Sequence, residues 1–298
     1  METPAAFVLR DQRFDASRPA VMGIMNRTPD SFYARARFVD LNVALVALDR
    51  LVADGVDLVD VGGVRAGQVG DWVDAAEEIE RVRPFLLAAR ERHPDLLLSL
   101  DTWRSEVALA CADARIDLVN DTWEGADPDL VSVAAELGAG YVVSHTGGLP
   151  PRTDPVGVTY PPEPDGVIAA VLEGLRAGAE RALAAGVPAE RILIDPTLDF
   201  GKTTRHSLRL LRATDEIVRL GYPVLQSLSR KDFVGETLDL PVDDRLEGTL
   251  AATAIAGWLG ATVFRAHDVR ATRRVIDMVA SLRGDRPPAK AVRGEPTN

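Results

Sequence analysis

The sequence predicts one (β/α)8 barrel, and three observations carry that prediction. Eight short apolar runs alternate with eight stretches of helical periodicity between residues 20 and 283. Several helical stretches stop at a glycine, and the next run starts within a few residues, as short αβ connections do. Eight such units fill about 250 residues, which is the size of this barrel. The rival fold, a doubly wound sheet, is disfavoured because no Gly-x-Gly-x-x-Gly follows the first run.

Residues 1–19 read as a short lead-in, suited to a hairpin across the barrel bottom. The first strand is Val21–Asn26, followed by a long loop over 27–38 with Arg27, Arg35 and Arg37. A helix over 40–54 places Leu41, Leu45, Leu48 and Val52 on one face and stops at Gly55. The second strand is Leu58–Gly63, with a loop to about Asp71 and a helix over 74–92. The third strand, Leu96–Asp101, precedes a helix for which Thr102 and Ser105 are candidate caps. The fourth, Asp117–Asn120, leads to a helix over 128–137 opened by Pro128 and closed by Gly138.

The fifth strand is Tyr141–His145, and the proline-broken segment Pro150–Pro164 reads as a long loop. A helix over 166–185 stops at Gly186, and the sixth strand is Ile192–Asp195. A helix over 206–220 stops at Gly221, before the seventh strand Val224–Ser229. A helix over 244–259 stops at Gly260, the eighth strand is Val263–His267, and a helix over 269–283 closes the barrel domain, 20–283. The tail 284–298 holds proline and charge without periodicity and is expected to be mobile.

Composition narrows the function. The net charge of -11 argues against nucleic acid as partner, since phosphate backbones are held by many Lys and Arg contacts. The single cysteine, Cys111, cannot form an intramolecular disulfide, which suits a cytoplasmic protein, and its helical setting marks it as a core thiol. The N-terminus lacks a basic region followed by an apolar run, so no signal peptide is read. No run of 18 apolar residues occurs, so no membrane span is expected. The four histidines form no zinc signature. Gly201-Lys202-Thr203 resembles the end of a phosphate loop, but Pro196 occupies the position of its first glycine, so that motif is rejected.

The strands end in Asn26, Asp60, Asp101, Asn120, His145, Asp195, Ser229 with Lys231, and Arg265 with His267. Any one of these is equally well a cap or a loop residue; eight together mark a polar pocket at the barrel top. Asp101, Asn120 and Asp195 form an acceptor-rich cluster that suits a flat heterocycle with several N–H donors, such as a pterin or a guanine-like edge. Arg265, His267 and Asn26 form a second cluster suited to phosphate oxygens. Asn26 can also meet a Mg²⁺, which takes oxygen ligands and keeps most of its waters. Lys231 is placed to bridge the two, and His145 reads as a wall residue.

Together these motifs resemble dihydropteroate synthase from about Val21 to Met278. Asn26-Arg27-Thr28-Pro29-Asp30-Ser31-Phe32, Asp60-Val61-Gly62-Gly63, Ser99-Leu100-Asp101-Thr102, Asn120-Asp121, Asp195-Pro196 with Phe200-Gly201-Lys202-Thr203, Ser229-Arg230-Lys231 and Arg265-Ala266-His267-Asp268 follow the family's order and spacing. Members join a dihydropterin pyrophosphate to 4-aminobenzoate, giving dihydropteroate and pyrophosphate in folate biosynthesis. The resemblance implies that Asp101, Asn120, Asp195 and Lys231 hold the pterin, with Asp101 and Lys231 as catalytic residues. It implies Asn26, Arg265 and His267 for the pyrophosphate, Asn26 with Mg²⁺, Phe200 for the aminobenzoate slot, and a homodimer through the last helices.

Two loops depart from the family pattern. Gly62-Gly63 is followed by Val64-Arg65-Ala66-Gly67 in place of Glu-Ser-Thr-Arg-Pro-Gly, and Ser31-Phe32 by Tyr33-Ala34-Arg35-Ala36 in place of Ser-Asp-Gly-Gly. The residue after Lys231 is Asp232 rather than serine, which repels a carboxylate unless a cation intervenes. This pattern is similar to the divergent second dihydropteroate synthase paralogue of actinobacteria, regarded as lacking ordinary synthase activity. The expectation is a pterin-binding homologue with weak or no synthase activity. The alternatives are an active synthase in which Arg35, Arg37 or Arg65 replaces lost contacts, or a related transferase with another nucleophile.

Overall fold

The strands of the barrel are β3 (Ala20–Asn26), β4 (Leu58–Gly62), β5 (Leu97–Asp101), β6 (Leu118–Asp121), β7 (Gly140–Ser144), β8 (Ile192–Asp195), β9 (Leu225–Ser227) and β10 (Val263–Ala266). They form one parallel sheet in the order β8-β7-β6-β5-β4-β3-β10-β9. A parallel bridge from Ile194 to Val224 joins the two ends of that order, with the Ile194 amide donating to Pro223 O at 3.1 Å. The computed structural model describes residues 4–27, 37–65, 72–153, 157–162 and 166–293.

Ahead of the barrel, β1 (Phe7–Leu9) and β2 (Gln12–Phe14) form the expected antiparallel hairpin. Phe7, Leu9 and Phe14 are buried against Met22, Leu58, Leu97, Leu118, Val142, Leu193, Leu225 and Val263, residues contributed by all eight barrel strands. The hairpin therefore plugs the barrel bottom. Each fully buried side chain of this size contributes about 1.5–3 kcal/mol.

Strand parity then decides what lies above the plug. Side chains alternate faces along a strand. Val59 and Val61, Leu98 and Leu100, Val119, Val143, Ile192 and Ile194 face outward into the core shared with the helices. The alternate positions, Asp60, Ser99, Asp101, Asn120, Ser144, Asp195, Ser227 and Arg265, lie on the same face as the plug layer and so point into the barrel. The interior is apolar at its base and polar from its middle upward.

The helices are α1 (Arg37–Ala53), α2 (Ala75–Arg92), α3 (Ser105–Ala110), α4 (Leu130–Glu136), α5 (Gly166–Ala184), α6 (Thr204–Arg212), α7 (Thr214–Val218), α8 (Asp232–Leu238), α9 (Leu246–Trp258) and α10 (Val269–Arg283). Two depart from expectation. The single helix expected over 206–220 is broken at Ala213, because the Thr214 hydroxyl donates to Leu211 O at 2.8 Å and competes for a helical carbonyl. Helix α8 lies where the sequence suggests only loop; at 7 residues it is too short to show a period. Cys111 is buried as expected, and burial raises its thiol pKa to about 12. No helix among the described residues is long and apolar enough to cross a membrane.

Candidate active site

The centre of the polar layer is Asp60, which is 0% exposed. One of its oxygens accepts from Ser99 Oγ at 2.5 Å. The other accepts from Asn120 Nδ2 at 2.9 Å and Arg265 Nε at 2.6 Å. Arg265 Nη2 reaches on to Asp101 at 2.9 Å, and Asp101 also accepts from the Thr122 hydroxyl at 3.0 Å. The pairing of β5 with β6 sets Asp101 opposite Asn120, so strand register builds this contact surface. Arg265 thereby joins the two clusters that the sequence reading kept apart.

This packing disturbs the Asp101 carboxylate. Burial first, and then the negative charge of Asp60, raise its pKa to about 7, while Arg265 pulls it down.

Asp195 and Lys231 make the second wall. Asp195 accepts from the Thr197 amide at 2.7 Å and Ser227 Oγ at 3.2 Å. Burial raises the Asp195 pKa, and the positive charge of Lys231 opposes that rise. Burial likewise lowers the Lys231 pKa, and Asp195 and Asp199 oppose it. The Lys231 ammonium donates to Leu198 O and lies 5.1 Å from the Phe200 ring centroid. Trp123 packs its edge against Phe200, with centroids 5.5 Å apart at 81°.

Lys202 secures the loop that carries Phe200. Its ammonium donates to the carbonyls of His145 at 2.6 Å, Phe200 at 2.8 Å and Thr197 at 3.3 Å. A side chain that uses its three N–H donors on backbone is a strut, in keeping with the rejected phosphate-loop motif. Thr197 and Asp199 hold positive φ in the same turn. His145 is buried against Tyr160, as a wall residue should be.

His267 and Asn26 sit at the strand ends above Arg265. The His267 Nδ1 is 2.9 Å from Ser229 Oγ. Burial, then the charges of Arg265 and Arg230, lower its pKa to about 4, so the ring is neutral near pH ~7. Asn26 is exposed at the end of β3. Among the described residues no group of three or more His, Cys, Asp or Glu can hold a metal.

Asp232 is exposed and carries a partner on one carboxylate oxygen. Its carboxylate accepts from Arg245 Nη1 at 2.8 Å, and the same guanidinium donates to Arg230 O at 3.0 Å. Gly235 makes this possible, because a Cβ there would meet Arg245 Cζ at 2.3 Å. Arg35, the Arg37 side chain, and the segments 28–36 and 66–71 lie outside the described residues. Sequence reasoning named Asp60 as a strand end but did not place it in the site, and it passed over Ser99, Thr122, Trp123 and Ser227. For Asp60 and Ser99 the signal was there: each is a polar residue at an inward position between two apolar outward ones.

A plugged barrel whose upper interior holds three acidic or amide acceptors, a lysine and a paired guanidinium is a receptor for a small polar heterocycle. Comparison with known proteins makes the class particular. Residues 22–267 match the family described as pterin binding enzyme, and the chain belongs to that family. It is 55% identical over 279 residues to the protein of Mycobacterium leprae named inactive dihydropteroate synthase 2, covering 94% of this chain and 96% of the relative. Identity to the dihydropteroate synthase of Haemophilus influenzae is 36% over 258 residues, covering 87% of this chain and 92% of that one. Among solved structures, the Coxiella burnetii dihydropteroate synthase in complex with pteroic acid superposes with a TM-score of 0.80 at 32% identity, covering 94% of this chain and 99% of that one. The Xanthomonas albilineans enzyme with 4-aminobenzoic acid gives 0.82 at 32% identity over the same shares of the two chains. The chain is thus a dihydropteroate synthase homologue that resembles the divergent second paralogue.

Proposed function

We propose that this protein binds a dihydropterin, as its pyrophosphate ester, in the upper barrel and turns it over weakly or not at all with 4-aminobenzoate. The observation that carries the reading is the pre-built acceptor surface of Asp101, Asn120 and Asp195. Asp60 fixes the Asn120 amide by taking one of its N–H donors, so its carbonyl oxygen is turned to accept from a ligand. Asp195 and Asp101 supply carboxylates for an amino group and ring N–H donors, and Lys231 supplies a donor for a ring carbonyl or nitrogen. A ligand that lacks those donors leaves buried acceptors unpaired, which is costly.

Arg265 and His267 are the anchors for the pyrophosphate. Among the described residues, Arg265 Nη1 and His267 Nε2 have no hydrogen-bond partner. Asn26 supplies one oxygen nearby, and the rest of the shell must come from elsewhere. That donor set fits a Mg²⁺ that arrives with the diphosphate, whose charge it neutralises, better than a resident protein-held ion. In the reaction itself Asp101 stabilises positive charge developing on the pterin as pyrophosphate leaves. The weak turnover rests on the altered second loop, which lacks the Ser-Thr-Arg-Pro element.

One observation favours the active synthase as second reading. The Asp232–Arg245 pair neutralises the carboxylate that otherwise repels 4-aminobenzoate. A homodimer through α9 and α10 is supported by Ile255, Trp258, Met278 and Leu282, which are 43–62% exposed on these two helices. The lone thiol and the family's small substrates suit the cytoplasm. Titration calorimetry with a dihydropterin tests the binding claim: saturable binding by the wild-type chain and at least tenfold weaker binding by Asp195→Asn are expected. Equal binding by both proteins removes the pterin floor from the reading.

A further inference from the structure

A cavity lies at the end of the barrel opposite the polar layer. It has a volume of about 480 Å³ and is lined by Arg10, Arg115, Asp117 and Arg191, with Leu9, Ile116 and Leu137 as apolar wall. Arg10 comes from the β1–β2 turn, Arg115 precedes β6, and Arg191 precedes β8. The size is that of a small-molecule site.

The charge of this cavity is unbalanced. Asp117 accepts from Arg10 Nε at 2.6 Å, Arg10 Nη2 at 3.1 Å, Arg90 Nη2 at 2.7 Å and the Leu98 amide at 2.8 Å. Three of these donors reach Oδ2 and one reaches Oδ1, so this carboxylate is already committed to two guanidinium groups. Arg191 has only a neutral partner, Gly138 O at 2.8 Å. The Arg115 side chain has no partner among the described residues. Burial lowers the Arg90 pKa, Asp117 opposes this, and the positive charges of Arg10 and Arg115 lower it further. This local excess of positive charge stands in a chain of net charge -11.

The backbone points the same way. Arg10 and Arg115 both hold the left-handed region, at φ 51° and 52°. Glycine or asparagine occupies such positions with less strain, yet two arginines hold them at the mouth of one cavity. For Arg10 the bond to Asp117 accompanies this conformation; Arg115 closes the turn 112–114, its amide donating to Ala112 O at 3.0 Å, and its side chain takes no part in that turn.

We propose that this cavity binds a small multivalent oxyanion through Arg115 and Arg191, with Arg10 completing the positive rim. Guanidinium forks match phosphate and carboxylate oxygens alike, and the apolar wall accommodates a short aliphatic body. The site is separate from the polar layer at the barrel top, because the plug formed by Phe7, Phe14 and the first layer of strand residues lies between them.

The test is calorimetric titration of the full chain with inorganic phosphate and, separately, with citrate. Three proteins are compared: wild type, the double variant Arg115→Gln/Arg191→Gln, and Arg265→Gln, which reports the top site. We expect saturable binding of at least one anion at a site that is roughly tenfold or more weaker in the double variant, since two charge-assisted contacts are lost, and that keeps its affinity in Arg265→Gln, whatever that variant removes at the barrel top. The tighter of the two anions identifies the site as one for phosphates or for polycarboxylates. Absence of saturable binding, equal binding in the double variant, or loss only in Arg265→Gln overturns the proposal. A second measurement needs no variant: the binding anion should shield Arg115 and Arg191 from phenylglyoxal modification in the wild-type chain. Shielding absent, or confined to arginines at the barrel top, overturns it equally.

Discussion

Asp60→Ala is expected to destabilise the protein by about 3 kcal/mol or more, the cost of leaving the Ser99 hydroxyl, one Asn120 N–H and Arg265 Nε without their shared acceptor. Asp60 is fully buried and ties together Ser99, Asn120 and Arg265. The thermal midpoint should fall by roughly 10 °C for a chain of this size. Dihydropterin affinity should fall with it, because Asn120 loses its orientation and Arg265 keeps only its bond to Asp101. Asp60→Asn, which keeps the shape and an acceptor oxygen, should recover part of the stability and little of the affinity. Thermal unfolding and pterin titration on the two variants check this. A loss in Asp60→Ala below about 1 kcal/mol, the range of exposed pairs, would show that the network is ornamental.

The second large effect is on pH dependence. Asp101, with its pKa raised to about 7, accepts hydrogen bonds fully only when ionised. Pterin affinity should therefore drop by about tenfold for each pH unit below that value. Its contribution to stability runs the other way. The folded state holds a proton that the unfolded chain has released, so this contribution is present at low pH. It is lost as pH rises from the ordinary carboxylate range through about 7. Asp195 is raised by burial as well, and His267 is lowered to about 4, so the clean measurement is the difference between wild type and Asp101→Asn across pH. A flat difference curve for both affinity and stability would contradict the assignment.

Much of this was legible in the sequence. The eight strand runs, the hairpin lead-in and the polar strand ends all read correctly from period and parity. The runs Leu58-Val59-Asp60-Val61-Gly62 and Leu97-Leu98-Ser99-Leu100-Asp101 keep apolar outward positions while the inward ones pass from leucine to Asp60 in the first and to Ser99 and Asp101 in the second. That alternation marks a barrel interior that changes from apolar to polar part of the way up. What the sequence could not show was pairing across strands. Arg265 meets Asp60 across 205 positions of sequence, and no local pattern reports such a contact. Helix α8 was hidden by its length, and the break at Ala213 by a side-chain hydrogen bond of Thr214. The Asp232–Arg245 pair was invisible for a different reason: its geometry depends on a missing Cβ at Gly235.

The contrast between the retained residues Asp101, Asn120, Asp195 and Lys231 and the altered sequence after Gly63 comes down to one measurement. The chain is incubated with dihydropterin pyrophosphate and Mg²⁺, with and without 4-aminobenzoate, and pyrophosphate release and ligand binding are followed in the same sample. A pterin-binding protein of little synthase activity binds the ester saturably and releases pyrophosphate at a rate that 4-aminobenzoate scarcely changes. Release that 4-aminobenzoate accelerates to the rate of an ordinary dihydropteroate synthase, or no binding of the ester at all, contradicts it.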